Sequence, residues 1–555
     1  MNAATQPASP GHDSDYDVVV VGGGFAGSST ALLLRRWMPE ARILVAERGE
    51  RFERKVGEAT VEVSGYFLHR VLGLYDHLSR HHLPKHGLRY WFCPSEAEDN
   101  LRLSDLTEIG SSEMPRLASF QLDRPCLDQH LLDTAKTEGV EVLRPAKVLS
   151  VESEGSGDWP VHKVEVDTSS GSRQLRTRWI VDASGRQSFL ARKKGLHRKV
   201  ERHPTASLWA RWRGVRDLDE AAILGGGPRA PELPIVSASR RLATNHFVGY
   251  GYWAWVIPLS NGNTSIGLVY DKSLYELPEG ATRRERYEEF VRSTPGLRDL
   301  VQDAEVDGSD FMALSHLPYR TEQYMGEGWA LVADAAAFLD PYYSPGLDHA
   351  AISIYATARI LQGHLSGELT GEDLRQRMEI HNRDFLRSYE RWLDCLYIGK
   401  YELMGDADLL GSSFLVDTAF YYLGVVTPVY KDLETMANPI FGLALPQARW
   451  AYKITRTFNR RLRTLARFRR RVGTYGKNNL GHHRYSRSFG LGVLAAIAPL
   501  AKGLRLWLGV EWERLVHRIR HGRVDESAPV SIAVAETPSM STNNDSPKAA
   551  MAPGG

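Results

Sequence analysis

The sequence predicts an α/β protein: a parallel sheet with crossover helices, a mostly antiparallel sheet inserted into it, and a helical C-terminal region. Three observations predict this. Continuous apolar strands alternate with helical patterns from Asp17 onward, as in β-α-β units whose sheet is covered on both faces. Alternating strand patterns such as FVGYGYWAWVIPL and TSIGLVYD fill about residues 195–315. After about residue 370 the apolar spacing turns helical. The expected division is a core at 15–370 and a helical region at 371–525.

Bulk properties narrow the class. A chain of 555 residues with 43% hydrophobic and 25% charged residues holds more than one ordinary domain's core. A net charge of +2 argues against a general polyanion binder, so no nucleic-acid partner is expected. Cys93, Cys126 and Cys395 lack metal-ligand spacing, which predicts no metal site, no disulfide framework and a reducing, cytoplasmic setting. Residues 1–14 are polar, show no signal peptide and are expected to be a disordered leader. The Ser/Ala/Pro-rich stretch 526–555 is expected to be a disordered tail. The longest apolar run, LGVLAAIAPLA at 491–501, has 11 residues including a proline and is too short to span a bilayer.

The first elements carry chemistry. DVVVVGGG reads as a buried strand and turn, AGSSTALLLRRW as a helix and RILVAER as a second strand. Gly22, Gly24 and Gly27 stand in G-x-G-x-x-G spacing, with Ala26 opening the helix. The first glycine permits the tight turn, the second admits a diphosphate to the backbone, and the third packs helix on strand. Glu47, twenty residues past Gly27 and followed by Arg48, is placed to accept from a ribose hydroxyl. This is a dinucleotide site.

Later stretches favour FAD over NAD. FERKVGEAT (52–60) supplies Val56, Gly57 and Glu58; LDRPCLDQHLL (122–132) supplies Arg124; DASGR (182–186) supplies Asp182 and Gly185; VADAAAFLDP (332–341) supplies Asp334 and Pro341. Together they resemble the segments by which para-hydroxybenzoate-hydroxylase-like flavoproteins hold FAD. The resemblance implies a Rossmann-like FAD-binding domain, with 52–60 passing the isoalloxazine and Asp334 at the ribityl or diphosphate region. Ala333 departs from the family, which usually has glycine there.

Two further motifs are narrower. WAWVIP fits W-x-W-x-I-P through Trp253, Trp255, Ile257 and Pro258, and FLDPYYSPG fits F-x-x-P-x-x-S-x-G through Phe338, Pro341, Ser344 and Gly346. In this order after an FAD frame they resemble the flavin-dependent halogenases, most closely the branch acting on phenols, pyrroles and phenylpyrroles, over about residues 15–400. That likeness implies FADH2- and O2-dependent halogenation. Reduced flavin and O2 form a C4a-hydroperoxide, chloride or bromide attacks its distal oxygen, and a lysine delivers the hypohalous acid. Lys85 in LPKHGLRYWF is that lysine by position, and Ser344, Pro345, Gly346 and Leu347 are the implied halide pocket. Trp253, Trp255, Ile257, Pro258, Phe338 and Tyr343 are implied on the substrate side or as the flavin wall. His81, His82 and His86 read as a polar loop.

Tryptophan halogenases carry a glutamate immediately before the loop serine. Tyr343 stands there instead, and no nearby residue in the chain replaces the carboxylate. This points to a ring whose own lone pair stabilises the arenium ion, free or tethered to an acyl or peptidyl carrier protein. With no second glycine-rich fingerprint, FADH2 is expected from a separate flavin reductase. An aromatic hydroxylase and a non-turnover flavin-binding protein remain the alternatives. The stretch 449–471 holds ten Lys/Arg and no acid, beside an apolar stripe of Trp450, Ile454, Phe458, Leu462 and Leu465. Packing on the body, binding an acidic carrier and lying on an anionic membrane surface all stay open.

Overall fold

The computed structural model describes residues 14–94, 100–154, 159–220, 233–442 and 446–527, together with Ile223 and Gly225. Apart from Ser14, Glu526 and Ser527, the expected leader and tail lie outside the described residues. Strand β1 (Tyr16–Val21) and β2 (Ile43–Ala46) consist almost wholly of apolar residues, and the crossover helix α1 (Phe25–Trp37) joins them. After β3 (Leu88–Phe92), β4 (Thr107–Ser111) and helix α2 (Arg124–Thr137) come β5 (Glu141–Leu143) and β6 (Gly171–Asp182). Next are β7 (Thr205–Arg213), β8 (Thr244–Gly249), β9 (Tyr252–Pro258), β10 (Asn263–Asp271) and β11 (Trp329–Leu331).

One sheet runs β11-β6-β1-β2-β5 in parallel, with an antiparallel hairpin at 146–168 attached to β6. Register pairs Val21 with Asp182 and Asp182 with Leu331, so the Gly22 turn, DASGR and VADAAA leave the sheet at one edge. Ligands of open α/β sheets bind at such carboxyl ends. Chain departure at this edge also explains why β6 stops at Asp182 and β11 at Leu331. Ala333–Ala335 form a 3-10 turn instead.

The second sheet has nine strands, with β7-β10-β9-β8-β3-β4 in order. Its expected limits, 195–315, are too narrow. β8 is buried along its whole length, so both of its backbone edges need partners, and β3 supplies one by parallel pairing. Strand β12 (His483–Ser486), far along the helical region, closes the sheet against β4. The helices are α3 (Pro345–Leu365), α4 (Gly371–Trp392), α5 (Ala407–Tyr421), α6 (Pro446–Arg471) and α7 (Val493–His521).

The basic stretch is the helix α6, and ion pairs to the body occupy much of its charge. Arg456 meets Asp394 at 2.5 Å, Arg467 meets Glu402 at 2.6 Å, Arg461 meets Glu511 at 2.5 Å, and Arg469 reaches Asp406, Asp408 and Glu513. Leu462 and Leu465 are fully buried. Of the three readings, packing on the body accounts for this part of the helix.

Candidate active site

The glycine turn has the form its spacing predicts. Gly22 has φ +98°, and a Cβ there would stand 2.8 Å from the Ala183 carbonyl oxygen. A Cβ on Gly27 would lie 1.8 Å from the Gly22 oxygen, so α1 can approach β1 only with glycine at that place. Gly24 caps α1 without a side-chain bond, and the first turn holds no acid. The free amides therefore face the approach to Gly24, where a Cβ would come 3.0 Å from Lys55 Nζ. Burial pushes the Asp334 carboxyl up, and Arg186, Arg124 and Lys55 pull it back down. Bare amides and three cations around one half-buried acid fit the diphosphate and ribityl portions of FAD.

Other expected cofactor residues shape the cleft from behind. Glu47 accepts the Gly23 N–H at 2.6 Å and the Gly49 N–H at 2.8 Å, holding the turn; Arg48 donates to Gln187 at 3.0 Å. The Ala26 carbonyl accepts from Thr30 inside α1. Arg124 pairs with Asp128 at 3.1 Å and donates to the carbonyls of Val56 and Gly57, fastening that segment to α2. Gly185 has φ +64° in the turn after β6. Two others, Asp182 and Glu58, have partners within the protein. Asp182 accepts the N–H groups of Ser184 and Leu190 at 2.9 and 2.7 Å, so it caps its own turn. Glu58 is buried, and a buried carboxylate needs a cation; Arg211 of β7 supplies it at 2.5 Å. Glu58 thus ties the segment to the second sheet.

The loop 338–346 is strained and held from many sides. Tyr343 and Ser344 adopt φ +71° and +56°, left-handed values that cost non-glycine residues about 1–3 kcal/mol each. Pro341 O accepts the Ser344 N–H at 2.9 Å, closing the turn. Tyr397 donates to Tyr342 O at 2.9 Å, and Tyr389 to Phe338 O at 3.1 Å. Asp340 accepts the Tyr342 N–H and the Tyr401 hydroxyl, and pairs with His203 at 2.8 Å. The strain delivers Ser344 to the start of α3, where Pro345 brings no N–H and Gly346 faces open space, since a Cβ would meet nothing within 4 Å. Amides at Gly346 and Leu347 therefore begin a long helix without a bulky side chain in front. Such a place suits a small anion.

Beside this loop lies a cavity of about 130 Å³, lined by Lys85, Glu62, Tyr343, Pro345, Phe414 and Phe489, among others. An apolar cavity of roughly this volume holds one benzene-sized ring. Lys85 is buried, and its Nζ donates to Thr60 O at 2.7 Å. Burial pushes the amine down to about 8, against the opposing pull of Glu62 and Asp348. Asp348, on the first turn of α3, accepts from Ser64 N–H and Tyr421 hydroxyl; burial pushes it up to about 6.

The sequence showed no carboxylate near Tyr343, and the fold supplies one. Tyr343 donates its hydroxyl to Asp417 of α5 at 3.1 Å, and Lys400 holds Asp417 at 2.7 Å. Both acid and lysine are buried. A lone acid inside the apolar run LLGSSFLVDTAF was the available signal. The WAWVIP residues do not line the cavity. Trp253 donates to Tyr401 and sets its ring 5.5 Å from Tyr342, bracing the loop from behind. Trp255 donates to Ser265, while Ile257 and Pro258 end the buried strand β9. Phe338 stacks on Tyr319 beneath the Arg186 guanidinium.

Of the three histidines read as a polar loop, His81 is exposed at the end of the helix Tyr75–His81, while His82 and His86 are buried. His77, His82 and Cys126 bring ligand atoms within 4.8 Å of one another. His82 Nδ1 already accepts the Asp123 N–H at 3.1 Å, so Nε2 of the neutral ring carries the proton and offers no lone pair to a metal.

Fold and cleft define an FAD-dependent oxidoreductase, and the chain belongs to the FAD binding domain family, whose pattern matches residues 15–376. Within it the chain is similar to flavin-dependent halogenases. A flavin-dependent halogenase of Dictyostelium discoideum is 28% identical, over 77% of this chain and 72% of that protein. A 1H-pyrrole-2-carbonyl-(peptidyl-carrier protein) chlorinase of Pseudomonas fluorescens is 27% identical, over 68% of this chain and 81% of its own. The crystal structure of halogenase PltM superposes with a TM-score of 0.66 at 20% identity, covering 90% of this chain and 96% of that one. At that identity the superposition establishes the shared fold.

Proposed function

We propose that this chain chlorinates or brominates an electron-rich aromatic ring, a phenol, a pyrrole or a related aryl, free or tethered to a carrier protein. One observation carries the reading: a buried lysine and the strained loop that opens α3 face the same ring-sized cavity. FAD, when bound in reduced form with O2, supplies the oxidising equivalent that turns halide into hypohalous acid. A separate flavin reductase is the source of FADH2.

The protein's residues do the rest. Amides at Gly346 and Leu347 hold the halide, kept clear by Pro345 and the left-handed Ser344. Lys85, anchored on Thr60 O, meets the hypohalous acid. As ammonium it donates to the acid's oxygen and makes the halogen more electrophilic. As free amine it forms an N–X bond and releases water. With the amine lowered to about 8, roughly a tenth is unprotonated near neutral pH. The aryl carbon then takes the halogen, the displaced hydroxide leaving as water with the lysine's proton or the displaced lysine nitrogen regaining a proton as amine, and the ring proton passes to a carboxylate lining the same cavity as Lys85, Glu62 or Asp348. Tyr343, fixed by Asp417 and Lys400, occupies the place of the tryptophan-halogenase glutamate and orients the ring's hydroxyl or N–H.

The test combines purified protein, a flavin reductase, NADH, O2 and bromide or chloride, with phenols and pyrroles screened by mass spectrometry. A halogen isotope pattern that vanishes in Lys85→Ala is expected. Hydroxylated product without halogen, equal in both proteins, contradicts the reading and makes the chain a hydroxylase.

A further inference from the structure

Helix α7 is apolar on two opposite faces. Inward it fits so tightly on α5 that a Cβ on Gly503 would stand 2.9 Å from Val416, and Ser412 donates to Gly503 O at 2.7 Å. Outward, Leu494, Ile497, Leu508, Trp512, Leu515 and Ile519 recur at helical spacing and are all exposed, from 45% at Leu515 to 84% at Leu494. Leu494 and Ile519 lie 25 positions apart, about 38 Å along a helix. The 11-residue run at 491–501 is only the start of this helix, which passes through Pro499 and continues to His521. Among the described residues, two helices are apolar enough to compare. Over its most apolar 18 residues the one beginning at Ala407 has mean hydropathy 1.4 and is 78% buried; the corresponding stretch of α7 has 1.5 and is 22% buried. Among the described residues, protein covers the first on most sides and leaves the outward face of α7 bare.

Charge narrows what covers it. Both acids of α7 are engaged by neighbouring cations: Glu511 binds Arg461, and Glu513 binds Arg469 and Lys477. The exposed charged positions along the helix are Lys502, Arg505, Arg518 and Arg520, all basic. On α6, Trp450 and Ile454 are exposed too, with Lys453 Nζ 5.5 Å over the Trp450 ring. A second copy on the same face would set cation against cation. Anionic headgroups over an apolar layer complement both features.

We infer that the outward face of α7 lies in the surface of an anionic phospholipid membrane, its apolar residues at the headgroup–acyl boundary and its basic residues among the phosphates. The helix lies on the bilayer and does not cross it, because crossing would strip it from α5 and break the pairs at Glu511 and Glu513. The surface also has a place in the reaction, a point that rests on the halogenation reading. Ser486, Arg487, Ser488 and Phe489 line the ring-sized cavity and run directly into exposed Leu491 and Val493. A segment lining the cavity therefore leads directly onto the lipid face, and the substrate class this favours is an aryl ring on an apolar tail that partitions into the membrane.

Co-sedimentation of the full chain with phosphatidylcholine vesicles, with and without phosphatidylglycerol, tests this without turnover. Binding is expected with phosphatidylglycerol, weakened by salt. Leu508→Glu with Trp512→Glu should abolish it, and Arg505→Glu with Arg518→Glu should weaken it at least about tenfold, since each basic residue contributes about 1 kcal/mol. FAD content and halogenation of a water-soluble phenol should stay unchanged in both variants. Absence of binding to either vesicle overturns the inference. A dimer that the Leu508/Trp512 variant dissolves would assign the face to a second copy, and a non-binding monomer would assign it to the chain's own remaining segments.

Discussion

Two helices begin at the cofactor cleft, and they are built in opposite ways. The turn into α1 takes its shape from Gly22 and Gly27, whose missing side chains let strand and helix meet. The turn into α3 forces Tyr343 and Ser344 into left-handed backbone that glycine would adopt freely. Distant residues hold it there: Tyr397, Tyr389, Tyr401, His203 and, 74 positions away, Asp417. The first turn is a local solution for a large ligand that needs bare backbone. The second trades local comfort for side chains, because the cavity behind it uses Tyr343 as a wall. Damage to the first should therefore remove FAD, and damage to the second should spare FAD and harm halide and ring chemistry.

The strongest break is Gly27→Val. With a Cβ 1.8 Å from the Gly22 oxygen, α1 cannot seat, and the purified protein should lack flavin absorbance altogether. Next is Lys85→Ala, which should retain FAD and lose aryl halogenation by at least ~100-fold, the lower range for removal of a positioned acid–base group. The same residue sets a pH dependence. If the free amine carries the halogen, the rate should rise with pH and level off above about 8, because burial lowers the amine to that value and the reactive form accumulates as the proton leaves. A rate flat across that region would assign the work to the ammonium as hydrogen-bond donor.

Smaller effects sharpen the contrast. Tyr397→Phe removes the donor to Tyr342 O, a loss of about 1 kcal/mol. It should raise the KM for halide several-fold and leave FAD affinity unchanged, which titration would show. Smallest is Ala333→Gly. Ala333 holds φ +53° where the family usually places glycine, so the substitution should stabilise the fold by about 1 kcal/mol, read as a raised Tm.

The same contrast explains what the sequence made legible. Glycine spacing, strand and helix announce the first turn because every determinant lies within one β-α-β unit. The motif around Ser344 was visible as a pattern, yet its partners come from α4, α5 and the segments around them and leave no local trace. Asp417 therefore went unseen beside Tyr343, while Asp182 and Glu58, expected at the cofactor, also hold a turn and an arginine. The motif WAWVIP marks a position in the chain, on the substrate side or at the flavin wall, and only packing shows that Trp253 stands behind Tyr342. Sheet limits failed likewise, since β12 joins from beyond residue 480 by pairing rather than proximity.

The most direct measurement follows hypohalous acid and aryl halide separately in Lys85→Ala, using a soluble hypohalite trap alongside the phenol. A cradle at α3 and a delivering lysine in one cavity predict that the variant still releases trapped hypohalous acid at near the parent rate while aryl halide disappears. Aryl halogenation that persists in step with the trapped acid, at the parent's site on the ring, would contradict the role given to Lys85.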